Sequence, residues 1–167
     1  MKAFVTSQKR RVQRTWRSVW RKDIKYRIGQ QPIVLPPEHL LPHHQEDFPF
    51  YDRYFLRFLE KLSEQTADIL VVDIGANVGD TALAVLSAAP DARIVSVEGS
   101  PYFLKYLHQN VGGYQNVEII EAFVTHKEGR WRFQSDRSTG HLVEHGASER
   151  LVSTVKEISP IDILERL

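Results

Sequence analysis

The residues able to do chemistry cluster in one short stretch. Ile69-Leu70-Val71-Val72 leads into Asp73, then Gly75-Ala76-Asn77-Val78-Gly79, then Asp80 and Thr81, and Glu98 follows nineteen residues after Gly79. Two glycines four apart let the backbone turn sharply and approach a ligand with no Cβ in the way. Asp80 or Thr81 suits the start of a helix, whose free N–H groups form an anion-accepting end. A short, wholly apolar run before the turn reads as a buried parallel strand. Together these residues predict a strand–loop–helix of nucleotide-binding type, with an acid at the carboxyl edge where open α/β sheets hold their ligands.

The spacing narrows the ligand. A dinucleotide fingerprint needs glycines at the first, third and sixth positions. Counted from Gly75, those places hold Asn77 and Asp80, and a carboxylate at the sixth would repel a pyrophosphate. No Lys follows Gly79, so the phosphate loop ending in Gly-Lys-Ser/Thr is absent as well. A cationic ligand without phosphates suits Asp73 and Asp80 better. S-adenosylmethionine is of this kind, with a sulfonium, an ammonium and one carboxylate for the helix end. Glu98 lies near the spacing at which nucleotide folds set a carboxylate on ribose hydroxyls, and accepting from both hydroxyls would make two charge-assisted bonds.

Asp73-Ile74-Gly75-Ala76-Asn77-Val78-Gly79, followed by Val97-Glu98-Gly99-Ser100-Pro101, resembles the FkbM family of S-adenosylmethionine-dependent methyltransferases. That family has an Asp-Ile-Gly-Ala-Asn-x-Gly turn and a second strand ending in Glu, usually Glu-Pro. Here Gly99 stands where the family commonly has Pro. The resemblance runs from about Ile28 to the last residue. It implies a Rossmann-like methyltransferase sheet, parallel strands flanked by helices, acting on a small-molecule or glycan methyl acceptor. Asp73 would meet the methionine amino group or a bridging water, with Gly75, Ala76, Asn77 and Gly79 shaping the loop around that portion and Asp80 and Thr81 at the helix start counted among the cofactor-binding residues. Glu98, Gly99 and Ser100 would surround the ribose, and Ala122 and Phe123 would lie by the adenine, with Glu121 a weak candidate for its amino group. Family members continue beyond the position of Leu167 into a fourth strand. The chain is therefore expected to be a partial fold, incomplete in its C-terminal half and ending inside a helix. The resemblance identifies no catalytic base.

Composition sets the frame. The chain has 167 residues, 42% hydrophobic and 26% charged, which is ordinary for one soluble domain. It has no Cys, which excludes disulfides and thiolate metal sites. Apolar runs fall far short of a membrane span, and the N-terminus lacks a secretory apolar core, so a cytoplasmic location is expected. Residues 1–27 hold ten Lys or Arg and one acid, against twelve basic and twenty acidic residues in the remainder.

The other elements must position that site. Residues 7–27 read as a basic amphipathic helix, with Val12, Trp16, Val19, Trp20 and Ile24 on one stripe. Such a face packs on its own domain or a partner, or else meets an anionic membrane; nucleic acid is not expected. Residues 30–49 carry five prolines, predicting extended chain without a regular helix. This segment would reach the cleft as a lid. Its His39, His43, His44, Glu46 and Asp47 share no helical face, so no metal site is assigned. Residues 50–64 predict a helix whose stripe of Tyr51, Tyr54, Phe55, Phe58, Leu59 and Leu62 faces the core. Helices are predicted from Asp80 to Ala89, from Ser100 to Val111 and from Ile161 to Leu167, and strands over Arg93–Val97 and Val117–Val124. Two more strands, Arg130–Gln134 and Arg150–Val155, would flank a polar loop holding Ser138, Thr139, His141 and His145.

Residues 1–49 thus form an N-terminal segment ahead of an S-adenosylmethionine-binding domain spanning 50–167. Three functions compete: methyltransferase, truncated non-catalytic cofactor-binding or partner-dependent module, and nicotinamide oxidoreductase. Asn77 and Asp80 disfavour the last.

Overall fold

The computed structural model describes residues 22–48, 50, 53–126, 131–136, 139–144 and 156–167. Its centre is a three-stranded parallel sheet. β3 (Leu70–Ile74) pairs with β4 (Arg93–Glu98), and β4 pairs with β5 (Val117–Glu121). Each crossover is a helix: α3 (Asp80–Ala88) between β3 and β4, and α4 (Pro101–Val111) between β4 and β5. This is the expected Rossmann-like α/β arrangement, with the strands in the expected order. The register sets Asp73 beside Ser96 and Glu98 beside Glu121.

Residue chemistry accounts for these elements. α3 is apolar nearly all round and buries Ala82, Leu83, Ala84, Val85 and Leu86, as a helix pressed between a sheet and further layers must. α4 begins with Pro101 in its first turn, where the missing N–H costs nothing. It buries Phe103, Tyr106, Leu107 and Val111 on one stripe. Ser100 holds the N-cap position, but its hydroxyl makes no capping bond. β5 stops at Ala122, whose N–H turns back to the Ile120 carbonyl at 3.0 Å. Phe123–Val124 (β6) then pairs in parallel with Glu157–Ile158 (β9).

Outside the central sheet several expectations need correcting. Residues 24–27 are strand, not helix: β1 (Ile24–Ile28) forms an antiparallel hairpin with β2 (Gln31–Leu35) through a turn at Gly29, and Lys22 and Asp23 before it are not helical either. Residues 7–21 of the predicted basic helix lie outside the described residues. The hairpin buries Ile28, Ile33 and Leu35 in the same core as α3 and α4. Asn110 of α4 clasps it, accepting from the Val34 N–H and donating to the carbonyls of Val34 and Val78. The proline-rich segment also contains a helix, α1 (Leu41–Asp47), with Pro42 in its first turn. Proline breaks helix interiors but is tolerated there.

α2 (Arg53–Ser63) forms where expected but turns its stripe differently. Only Leu59 is buried, with Leu56 and Leu62 packed against the core. Tyr54 is 81% exposed and Phe58 60%; Tyr51 lies outside the described residues. Beyond β6, Trp131–Asp136 (β7) pairs with Thr139–Glu144 (β8) as a hairpin. Thr139 and His141 are therefore in a strand and not in a polar loop. Ser138, His145 and the predicted strand Arg150–Val155 lie outside the described residues. α5 (Pro160–Leu164) opens on a capping box between Ser159 and Asp162 and closes at Leu164, so the helix ends before the chain does. Among the described residues no helix is long and apolar enough to cross a membrane.

Candidate functional site

The strand-to-helix turn after β3 is built from left-handed backbone. Gly75, Asn77 and Gly79 have φ of 82°, 51° and 87°. Glycine takes such angles freely, and Asn is among the side chains that tolerate them best. At Gly79 the need is also steric: a Cβ would stand 3.0 Å from Leu107 and 3.1 Å from Val111. At Gly75 a Cβ would meet nothing within 4 Å, because this glycine faces open space. The N–H groups of Gly75 and Ala76 both donate to the Val97 carbonyl, at 2.8 and 3.0 Å, so the turn is pinned to the end of β4.

Glu98 ties the site together. It is buried at 7% exposure, and its carboxylate accepts three backbone N–H groups. Asn77 donates to Oε2 at 2.9 Å, while Gly99 and Ser100 donate to Oε1 at 2.9 and 2.7 Å. A carboxylate has about four lone-pair sites, so one place on Oε2 remains. Glu98 therefore clasps the glycine turn to the loop after β4 and can accept one further hydrogen bond. That corrects the expectation of two bonds to a ribose.

Three carboxylates share this corner. Burial, and the Asp80 and Glu98 carboxylates nearby, push the Asp73 carboxyl up to about 6. Its Oδ2 is buried without a hydrogen-bond partner among the described residues. Burial also raises Asp80, against the pull of its own N–H and that of Thr81. The Asp80 carboxylate thus sits on the first N–H groups of α3, the helix end expected to take a ligand carboxylate. Crowded carboxylates in a half-buried corner are relieved by a cation and strained further by an anion.

Beside the turn is a cavity of about 400 Å³, lined in part by Gly75, Asn77, Glu98, Gly99, Ala122 and Phe123. These are six of the twelve residues singled out from sequence. Asp73, Ala76, Gly79, Asp80, Thr81 and Ser100 are not among the cavity's lining residues. Phe103, Val124, Phe133 and Leu142 complete an apolar wall. Phe133 and Leu142 come from the β7–β8 hairpin, which no motif marked. Phe133 lay in a predicted alternating strand with nothing to say where it would dock, and Leu142 lay in the stretch read as a polar loop. Among the described residues none from 30–49 lines the cavity, and the hairpin, not the proline-rich segment, contributes to its wall. Glu121 faces elsewhere and pairs with His108 at 2.8 Å.

Gly99 explains the departure from Glu-Pro. A Cβ there would come within 2.3 Å of the Phe123 ring, which also packs on Phe133 with centroids 5.0 Å apart. Phe123 occupies the space that a proline ring at 99 would need. Behind the turn, His39 is 6% exposed, and its Nδ1 accepts from the Leu41 N–H at 3.3 Å. Burial holds its imidazole below the ordinary value, opposed by the Asn77 side chain alongside. Among the described residues no group of three or more His, Asp or Glu could hold a metal ion.

No family model matches the chain. Over 58 residues it is 40% identical to the release factor glutamine methyltransferase of Mycolicibacterium smegmatis, a match covering 35% of this chain and 20% of that protein. The chain thus spans about one-fifth of the length of the curated relative it matches. Solved structures overlap in part. A precorrin-6y C5,15-methyltransferase from Geobacter metallireducens superposes with a TM-score of 0.34 at 24% identity, covering 41% of this chain and 37% of that one. Aeropyrum pernix fibrillarin, solved with bound S-adenosyl-L-methionine, gives 0.31 at 26% identity, covering 34% and 25%.

Proposed function

We propose that the cavity between Gly75, Glu98 and Phe123 binds S-adenosylmethionine, and that the chain is the cofactor-binding part of a methyltransferase of FkbM type. Its acceptor would be the hydroxyl of a small molecule or sugar. One observation carries the reading: a turn that is open at Gly75 sits beside three crowded carboxylates, one of them, Asp73, with a buried oxygen lacking a partner among the described residues. That corner suits a cationic ligand and opposes a pyrophosphate. The 58-residue match to a methyltransferase supports it, and the Asp-Ile-Gly-Ala-Asn-x-Gly turn supports the finer assignment.

In this reading Asp73, one residue before the lining residue Ile74, takes the ammonium directly or through a bridging water, and Glu98 accepts one ribose hydroxyl through Oε2. Ala122 and Phe123 flank the base, while Phe133 and Leu142 keep water from the apolar side. When bound, the cofactor supplies an electrophilic methyl group for in-line displacement. The chain's contribution is then chiefly orientation. Among the described residues Glu98 is the only charged side chain lining the cavity, and three N–H groups already engage it. No catalytic base is assigned.

Calorimetry with S-adenosylhomocysteine and with NADH tests the reading. Binding of the first alone is expected. Binding of NADH alone contradicts it, and binding of neither favours a non-catalytic, partner-dependent module.

A further inference from the structure

Two non-glycine residues among those described have left-handed backbone, Glu38 at φ 67° and Asn77 at φ 51°. Asn adopts this region readily and Glu does so far less, and such outliers collect where the surrounding structure requires them. The two lie on neighbouring turns. Val34 of β2 and Val78 of the glycine turn both bond to Asn110 of α4, so the chain leaving β2 runs beside that turn. Residues 36–39 form a tight bend, closed by the His39 N–H on the Pro36 carbonyl at 3.1 Å, and His39 at its end is buried. Its Nδ1 accepts from the Leu41 N–H at 3.3 Å. Only an unprotonated nitrogen can accept, and burial favours the neutral ring, so the ring's one hydrogen is on Nε2. Nε2 is itself buried. The side chain alongside to receive its hydrogen is that of Asn77, at a looser approach than a closed hydrogen bond.

We propose that His39 is a positioning residue for the cavity: through its Nε2–H it holds the Asn77 side chain, and with it the left-handed turn. Asn77 joins the two sides of the site. Its backbone N–H donates to Glu98 Oε2 at 2.9 Å, and the residue lines the cavity. A side chain held from behind leaves that N–H one direction, toward Glu98. His39 is not itself among the lining residues, so it acts on a ligand through Asn77. Residues 36–39 therefore support the site from behind, although they precede the 50–167 unit that the sequence marks out. Packing alone asks only for a ring of this size at 39, whereas positioning asks for a donor at the place of Nε2. The hold on Asn77 stands whatever ligand the cavity takes; only its effect on S-adenosylmethionine rests on the function proposed above.

Two substitutions separate the two ring nitrogens. Gln sets an amide donor near the place of Nε2, and Asn sets an amide acceptor near that of Nδ1. His39→Gln thus keeps the hold on Asn77 and loses the Leu41 bond, and His39→Asn does the reverse. Amide hydrogen exchange of the full ligand-free chain is expected to show this crossing. Asn77 should exchange about tenfold faster than in the wild type in His39→Asn and near the wild-type rate in His39→Gln, tenfold being about the scale of one hydrogen bond. Leu41 should do the opposite. A long-range proton–nitrogen spectrum of the wild-type chain at pH 7 is expected to show the His39 hydrogen on Nε2, and it decides the matter if neither variant folds. In calorimetry the affinity for S-adenosylmethionine should fall about tenfold in His39→Asn, again the scale of one hydrogen bond, and hold in His39→Gln. No binding by the wild-type chain contradicts the proposed cofactor, and the exchange pattern still decides for or against His39. A hydrogen on Nδ1, an Asn77 amide indifferent to both substitutions, or both amides accelerated alike in both variants overturns the proposal.

Discussion

α2 and α3 lie side by side, yet their sequences and surroundings are opposites. α3 is apolar on almost every side and is buried on almost every side. α2 carries a sharp amphipathic pattern with five aromatic residues in or just before it, and Phe50, Tyr54 and Phe58 are each more than half exposed. Pattern alone favours α2 as the better-packed helix. The difference is that burial needs a partner as well as a face. The β3–α3–β4 unit brings its own, because each strand and helix of the unit covers the next. α2 has α3 on one side, which takes Leu56, Leu59 and Leu62, and the aromatic side is left outward among the described residues.

This contrast sets the order of expected effects. Leu83 in α3 is 0% exposed, so Leu83→Ala is expected to cost about 2–5 kcal/mol in chemical denaturation, the range for a leucine lost from a packed core. Glu98→Ala removes the acceptor of three N–H groups and should cost about 2 kcal/mol or more, since a buried orphaned donor costs about 1–3 kcal/mol. Measured by the same denaturation, a loss under half a kcal/mol would show that the clasp contributes nothing. Gly99→Ala forces a Cβ into the Phe123 ring. It should destabilise alone and be largely tolerated beside Phe123→Ala, with a coupling of about 0.5–3 kcal/mol for residues in contact. Phe58→Ala on the outer side of α2 should stay within about 0.5 kcal/mol, as exposed positions do. A loss comparable to that of Leu83→Ala would show that α2 is covered after all and break the comparison.

A pH series sharpens the site's half of the contrast. The Asp73 carboxyl is raised from 3.8 to about 6 in the folded chain. The folded state therefore holds a proton that the unfolded state has released between those values. The stability this gives is present below pH 3.8 and is lost as pH rises through 6. Binding of a cation to the ionised carboxylate has the opposite sign. Affinity for S-adenosylhomocysteine should rise between pH 5 and 7, by up to about tenfold for one such group, and level off above. Asp73→Asn should flatten the profile in calorimetry.

The sequence made the strand–turn–helix legible because every local signal there agrees: an apolar run, glycines at left-handed positions, and a helix that fits only between layers. Glu98 was legible by spacing, but not its three backbone bonds, because they depend on how two loops approach each other. Pro42 hid a helix because a proline in the first turn looks in sequence like one that breaks it. Ile24 fits a helical stripe and a strand equally well, and its pairing with Leu35 decides between them. Phe133 and Leu142 escaped notice because a hairpin's docking place is a tertiary fact. Phe123 was expected at the end of one strand running from Val117 to Val124, but β5 stops at Glu121 and Phe123 opens β6, paired with β9; its contact with Gly99 emerges only from how β6 lies across the loop.

The central claim is that a cationic adenosine ligand sits between the glycine turn, Glu98 and Phe123. An amide-resolved NMR titration of the full chain with S-adenosylmethionine tests it most directly. The account predicts saturable shifts at Gly75, Asn77, Gly99 and Phe123, with the amides of α2 unmoved. Saturable binding that leaves those four amides in place and shifts others would contradict it.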